Sequence, residues 1–154
     1  MFEQDTLIAV SQWALANRAS FLPNGPGRNY ALLHLFPDVP AEVWTIKASI
    51  VARYDLWYAP QEPVYRDLCS VITAGGAVHR HRDRNQGRLI HTRFNVMVSK
   101  PLEGGEPFIE DDVLDVAEGE VYRVDAGIKM HGCRTVSGLK PRIILSFGFL
   151  CRGK

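Results

Sequence analysis

The chain has 154 residues, a net charge of +1 and ordinary fractions of hydrophobic (46%) and charged (23%) residues. This length is enough to bury one hydrophobic core, so we expect a single domain over residues 1–154. The near-neutral balance excludes a broadly basic surface and argues against a nucleic-acid partner. No apolar run is long enough to span a bilayer, so we expect no membrane partner either.

The three cysteines, Cys69, Cys133 and Cys151, lie far apart in the sequence and form no Cys-x-x-Cys pair. This spacing indicates neither a disulfide framework nor a zinc knuckle. The first residues also lack the basic and apolar regions of a secretory signal. Together these features predict reduced thiols in a cytoplasmic protein.

Two helices are predicted in the N-terminal third of the chain. Over residues 5–19, Leu7, Val10 and Ala14 recur at three- and four-residue spacing, which is typical of an amphipathic helix. A second helix is expected after Pro40, because proline is tolerated in a first helical turn. We assign its apolar stripe to the core, and the stripe consists of Val43, Ile46, Ile50 and Tyr54.

Residues 1–60 are thus expected to supply helices and loops that support a β-rich core over residues 61–154. In that core, short apolar or alternating runs are separated by Gly, Pro and Asp clusters, which is typical of short strands. We place strands near residues 64–74, 76–82, 89–99, 106–110, 112–116, 119–124, 128–135 and 141–151.

Two of these strands, over residues 93–98 and 142–149, alternate between two faces of different polarity. In a half-exposed sheet the more polar face would lie in water. In a small barrel this face can instead line the interior, while helices cover the apolar outer face. The two N-terminal helices need such a surface to pack on. The inward-facing sets would then be Arg93, Asn95, Met97 and Arg142, Ile144, Ser146.

The stretch over residues 77–83 places His79, His81 and Asp83 at alternate positions. Residues two apart in a strand point to the same face, so these side chains can converge on one point. An imidazole and the carboxylate two residues after it would supply two ligands of a metal site. One more histidine would complete the two-His, one-carboxylate ligand set of non-haem iron(II) oxygenases.

His131 is the favoured candidate for the additional ligand, with a hydrogen-bonded core histidine as the alternative. It lies on a predicted strand that is followed by a turn and by the strand containing Arg142. A guanidinium within an otherwise apolar strand is costly to bury unless it meets a carboxylate. Arg142 would bind a carboxylate through its rigid bidentate fork. The chain order therefore describes a metal site beside a carboxylate anchor.

Four segments of the chain resemble one enzyme superfamily. The first is Ser70–Ile72, followed by Gly75 or Gly76 and then by His81, and the second is the His-x-Asp motif His81–Asp83. The third is Arg93–Asn95, which precedes Lys100–Pro101. The fourth is Glu118–Glu120, followed by His131 and Arg142. With these segments, residues 70–149 resemble the double-stranded β-helix core of Fe(II)/2-oxoglutarate-dependent dioxygenases. Within that superfamily they are most similar to the aspartyl/asparaginyl β-hydroxylase and free-proline hydroxylase group. The resemblance implies a mainly β, jelly-roll-like fold with N-terminal helices.

The resemblance also implies a set of ligands. Fe(II) would be bound by His81, Asp83 and His131, with 2-oxoglutarate and O2 as co-substrates. Arg142 would clamp the distal carboxylate of 2-oxoglutarate, and Ser70 would assist it. The implied reaction is hydroxylation of an unactivated C–H bond, with succinate and CO2 as co-products.

Two further positions, Arg93 and Asn95, would face the cofactor or the substrate by the same resemblance. His79 is left outside the inner ligand set. The implied substrate is a small, amino-acid-like molecule or a peptidyl side chain. Two alternatives stay open: a cupin-type metal protein that does not use 2-oxoglutarate, and a metal-free β-domain in which the histidines are incidental.

Arginines crowd around the His-x-Asp motif at positions 80, 82, 84 and 88. They form either a solvated rim or a surface that attracts an acidic ligand. Together with Arg93 they favour a substrate that carries a carboxylate.

Overall fold

The computed structural model describes residues 1–153 of the chain. Helix α1 spans Gln4–Asn17 and helix α2 spans Ala41–Arg53, with 3₁₀ turns at Arg18–Ser20 and Leu33–Leu35. Within this range the strands are β1 (Leu22–Pro23), β2 (Arg28–Leu32), β3 (Asp67–Ile72), β4 (Val78–His81), β5 (Leu89–Ser99), β6 (Glu103–Gly104), β7 (Pro107–Ile109), β8 (Asp112–Val113), β9 (Val121–Val124), β10 (His131–Cys133), β11 (Val136–Ser137) and β12 (Arg142–Arg152).

The strands pair antiparallel in three sheets. The main sheet has the order β1-β2-β3-β12-β5-β9, and the second sheet has the order β4-β10-β7-β8. Strands β6 and β11 form a separate two-stranded ribbon. Residues of the main and second sheets together line one cavity, so the two sheets enclose it between them. The predicted class, mainly β with N-terminal helices, is confirmed.

Both predicted helices are present, although the α-helical part of the first ends at Asn17. Pro40 stands directly before α2 with φ −59°, so its ring costs the helix no hydrogen bond. Val43 and Ile46 of the predicted stripe are fully buried. Within residues 1–153, neither helix combines the length and hydropathy that crossing a bilayer requires.

The helices pack on the outer face of the main sheet, as the alternation in two strands predicted. The core between them contains side chains from both layers. From the helices it takes Leu7, Val10, Ala14, Val43, Ile46 and Ile50, and from β5 and β12 it takes Phe94, Val96, Val98, Ile143, Leu145, Phe147 and Phe149. The alternate positions Arg93, Asn95, Arg142, Ile144 and Ser146 line the cavity. The polar face of this sheet is therefore inside the fold.

Residues 1–60 differ from the expected helices and loops, because they contribute β1 and β2 to the main sheet. Strand β2 pairs with β3 from Arg28 opposite Ile72 to Leu32 opposite Leu68. A short strand beside a Gly- and Pro-rich turn shows little periodicity, and pairing with a distant neighbour decides its structure.

Leu145→Ala should lower the free energy of unfolding by about 2–5 kcal/mol, because Leu145 is fully buried between sheet and helices. Leu139→Ala is the matched control, since Leu139 is fully exposed and should change stability by less than about 0.5 kcal/mol. Urea denaturation measures both. Equal losses in the two variants would contradict the described packing.

Candidate active site

The second sheet brings two of the predicted imidazoles together. His81 ends β4 and lies directly opposite His131, the first residue of β10. Their ring centroids are 4.3 Å apart. Asp83 follows β4, and its backbone N–H donates to the Ala126 carbonyl oxygen at 2.8 Å. One ligand atom from each of His81, Asp83 and His131 therefore lies within 4.8 Å of the others.

Backbone carbonyls orient both imidazole rings. Nδ1 of His81 lies 2.7 Å from the His79 carbonyl oxygen, and Nδ1 of His131 lies 2.9 Å from the Lys129 carbonyl oxygen. Because a carbonyl oxygen only accepts, each Nδ1 carries a proton, so Nε2 presents its lone pair whenever the ring is neutral. The two Nε2 atoms lie 3.3 Å and 3.8 Å from the Asp83 carboxylate oxygens. Carbonyl partners of this kind are typical behind metal-binding histidines.

The three groups shift one another's protonation. A hydrogen bond with Asp83 raises the pKa of His81, while burial and the nearby charge of Arg28 act in the opposite direction. Burial acts to raise the pKa of Asp83, but the His81 hydrogen bond and the charge of His131 outweigh it and lower that pKa. Burial lowers the pKa of His131. The shifts of Asp83 and His131 favour the ionised carboxylate and the neutral imidazole that metal ligation requires, whereas His81 must release its Nε2 proton when a metal binds.

A cavity of about 370 Å³ adjoins these residues. It contains every site residue that the sequence predicted: Ser70, His81, Asp83, Arg93, Asn95, His131 and Arg142. His79 does not belong to the potential metal group among the described residues, and its side chain is exposed. His79 contributes to the site through its backbone carbonyl oxygen, which faces Nδ1 of His81.

Arg142 lies on the main sheet and is 4% exposed. Its Nε donates to the Gly105 carbonyl oxygen at 2.7 Å, and Nη2 donates to the Tyr122 hydroxyl at 3.1 Å. Among residues 1–153, Nη1 has no hydrogen-bond acceptor. Gly105 has φ +73°, and a Cβ there would come within 3.2 Å of the Arg142 side chain. The arginine is thus held in place with one nitrogen left for a ligand.

Tyr122, Asn95 and Ser70 complete the polar wall near Arg142. Asn95 lies opposite Tyr122 in the β5–β9 pairing, and its Oδ1 is buried without a hydrogen-bond partner in the described chain. Burial raises the pKa of Tyr122, so its hydroxyl stays protonated and can donate. Ser70 lies opposite Ile144 on β12 and lines the same cavity. Sequence reasoning missed Tyr122, because its pairing with β5 is not visible in the local pattern.

Arg93 is engaged differently from Arg142. Its Nε donates to the Ser146 hydroxyl at 2.7 Å, and Nη2 donates to the carbonyl oxygens of Arg66 and Ser146 at 2.7 and 3.0 Å. Nη1 lies 3.2 Å from Nε2 of His91. All three nitrogens therefore have protein partners. These contacts favour a positioning role for Arg93, and its predicted contact with cofactor or substrate stays a prediction.

Two ionisable residues, Glu62 and His91, lie buried behind Arg93. Glu62, 2% exposed, lies 3.7 Å from Arg93 Nη1 and accepts backbone N–H groups of the loop that follows it. His91 is also 2% exposed, and its Nδ1 lies 4.0 Å from the Asp83 carboxylate. A chain of contacts thus joins Glu62, Arg93 and His91 to Asp83. No sequence motif marks Glu62, because its partners lie in a loop and a distant strand.

The arginine rim does not surround the cavity. Arg80 is paired with Glu110 at 3.3 Å and lies 3.7 Å from Asp111. The other three, at positions 82, 84 and 88, are exposed, and in the part of the chain that the structure describes none lines the cavity. Their position therefore does not support the expectation that these arginines attract an acidic ligand to the cavity.

Solved structures with the same fold include several oxygenases. A prolyl-4-hydroxylase from Pseudomonas putida matches with a TM-score of 0.68 and 15% identity, over 99% of this chain and 89% of its own. HygX from Streptomyces hygroscopicus, solved with nickel, 2-oxoglutarate and hygromycin B, matches with a TM-score of 0.69 and 12% identity, over 97% and 80%.

A third similar structure is a prolyl hydroxylase from Trichoplax adhaerens in complex with a hypoxia inducible factor peptide fragment. It matches with a TM-score of 0.72 and 11% identity, over 95% of this chain and 78% of its own. No family model matches the sequence, and no curated protein matches it significantly. The structural matches confirm the double-stranded β-helix fold.

Arg93→Met should lower the free energy of unfolding by about 3 kcal/mol or more, because it leaves Glu62 buried without its counter-charge. Arg123→Met is the control. Arg123 is exposed and paired with Asp125 at the surface, so the loss should be below about 1 kcal/mol. Urea denaturation compares the two. A small loss for Arg93→Met would show that the network is not structural.

Proposed function

We propose that His81, Asp83 and His131 bind Fe(II) in a 2-oxoglutarate-dependent oxygenase that hydroxylates a C–H bond of its substrate. The observation that carries this proposal is the grouping of two imidazoles and a carboxylate in one cavity with a buried, partly unpaired arginine. This donor set fits iron, since two histidines and one carboxylate are the facial ligands of non-haem iron(II) oxygenases. The hydrogen-bonded Nδ1 atoms support it, because they leave both Nε2 atoms for the metal.

Arg142 is proposed as the anchor for the distal carboxylate of 2-oxoglutarate. A buried guanidinium needs a counter-charge, and within residues 1–153 Arg142 forms no ion pair. Its Nη1 and the Tyr122 hydroxyl are the available donors, and Ser70 lines the same region. The metal group lies on and beside the second sheet, whereas Arg142 lies on the main sheet. A dicarboxylate that spans the cavity would contact both.

When bound, Fe(II) and 2-oxoglutarate supply the oxidising chemistry that consumes O2 and yields succinate and CO2. The protein's own residues bind the metal and 2-oxoglutarate, orient the metal ligands and shield the reacting groups from water. The His79 and Lys129 carbonyls fix the imidazole rings. Apolar side chains such as Leu68 and Ile144 line the cavity and limit water beside the reacting groups.

The proposed substrate is a small, amino-acid-like molecule or a peptidyl side chain. Similar folds have been solved with a small molecule, hygromycin B, in one case and with a peptide fragment in another. Polar and aromatic residues of the cavity wall, including Asn24, Tyr30 and Tyr65, suit a polar substrate.

His131→Ala and Asp83→Asn should each weaken Fe(II) binding by more than about 100-fold, because loss of an indirect partner alone costs about 10–100-fold. His79→Ala is the matched control, since the backbone carbonyl that orients His81 remains. Anaerobic calorimetric titration of Fe(II) measures these affinities. A comparable loss in His79→Ala, or none in His131→Ala, would refute the ligand set.

Arg142→Gln should weaken 2-oxoglutarate binding by about 10- to 100-fold, because it removes a charge-assisted hydrogen bond, while Fe(II) binding is retained. The visible metal-to-ligand charge-transfer band of the anaerobic Fe(II) complex, titrated with 2-oxoglutarate, measures this. Loss of the metal in Arg142→Gln would disprove the anchor role. Metal binding by the wild-type protein without any such band would favour a cupin-type protein that does not use 2-oxoglutarate.

A further inference from the structure

A second arginine lines the cavity without a protein counter-charge. Arg28 is the first residue of β2, and its side chain contributes to the cavity wall. Within residues 1–153 it forms no ion pair and no side-chain hydrogen bond, and its Nε is buried without a partner. A buried donor on a cation is costly unless a ligand satisfies it. This position therefore indicates an anionic ligand.

The register of the main sheet sets Arg28 level with Arg142. Both residues lie directly opposite Ile72, Arg28 from β2 and Arg142 from β12. Residues directly opposite in a sheet point to the same face, and two strand spacings separate these arginines by about 10 Å at the backbone. Arg142 is 4% exposed, whereas Arg28 is partly exposed. Arg28 thus lies on the outer side of the same polar wall.

The backbone around Arg28 is held firmly. Its N–H donates to the Gly25 carbonyl oxygen at 3.1 Å, and its own carbonyl oxygen accepts from Asn24 at 2.9 Å. The neighbouring Gly27 carbonyl oxygen accepts from the Thr73 N–H at 2.8 Å. The backbone that carries Arg28 is therefore fixed before a ligand binds, so binding costs no backbone entropy at this position.

A count of the charges in the cavity leaves Arg28 without a counter-charge. Asp83 is the one carboxylate among the described lining residues, and Arg93 is matched by Glu62. Fe(II), Arg28 and Arg142 together carry four positive charges, while Asp83 and 2-oxoglutarate carry three negative ones. Both carboxylates of 2-oxoglutarate would already be used, one at the metal and one at Arg142. One positive charge remains for the substrate.

We propose that Arg28 binds a carboxylate of the substrate, so that the substrate is a small carboxylic acid such as a free amino acid. This inference rests on the proposed function. It places the acid-binding group inside the cavity, on β2, and not among the exposed arginines at positions 82, 84 and 88. Asn24 and Tyr65, which line the same cavity, would contact the rest of the molecule.

The test uses the Fe(II) enzyme with 2-oxoglutarate, a panel of the common L-amino acids and the corresponding amino acid amides. Succinate formation is the readout. At least one acid should stimulate succinate formation, and its amide should not. Arg28→Gln should lower kcat/KM for that acid by about 10- to 100-fold while the 2-oxoglutarate charge-transfer band is kept. Arg28→Lys should recover part of the loss, since it restores the charge without the fork.

Arg88→Gln is the matched control, because Arg88 is exposed and outside the cavity lining, and its kcat/KM should not change. Three results would each overturn the inference: equal stimulation by acid and amide, no stimulation by any acid, or equal effects of the two Gln variants.

If Arg28→Gln abolished the charge-transfer band, Arg28 would bind 2-oxoglutarate, and the inference would fail while the proposed function stood. Absence of the band in the wild-type protein would refute the proposed function itself. If Arg28→Gln did not fold, the acid-versus-amide preference in Arg28→Lys would decide.

Discussion

The antiparallel register of β4 and β10 is the constraint on which the candidate site depends, because it sets His131 opposite His81. A slip of one residue would turn one imidazole away from the cavity. Gly132 helps to hold that register, since a Cβ there would come within 2.4 Å of the Val78 carbonyl oxygen. The close approach of the two strands thus excludes larger side chains at this position, and the metal group inherits its geometry from backbone packing.

Local periodicity explains what could be predicted. The period of two along β5 and β12 places Asn95 and Arg142 on the same face of the sheet. The helices cover the opposite, apolar face, so the face with Asn95 and Arg142 lines the interior. The ligand set was implied by the family resemblance of a short motif and one distant histidine, and the structure brings these three residues together. Tyr122 and Glu62 could not be predicted in this way, because their roles arise from strand pairing and loop closure between segments far apart in sequence.

Arg93 and Arg142 show why residue type alone does not assign a role. Both lie on inward faces of the main sheet and both are buried. Arg93 meets Ser146, Arg66 and His91 through its three nitrogens, whereas Arg142 keeps one nitrogen without a protein acceptor in the described chain. The environment of each guanidinium, and not its place in the alternation, separates the arginine that stabilises the fold from the one suited to a ligand.

The division of the site between two sheets has a thermodynamic consequence. The metal group belongs to the second sheet, and Arg142 belongs to the main sheet. A ligand that contacts both would act as a cross-link between the two layers. Because a ligand that binds only the folded state stabilises it by RT ln(1 + [L]/Kd), about 2.7 kcal/mol at 100 times Kd, occupancy and folding are linked. The filled cavity would then be a structural element of the sandwich, and the empty protein would melt at a lower temperature.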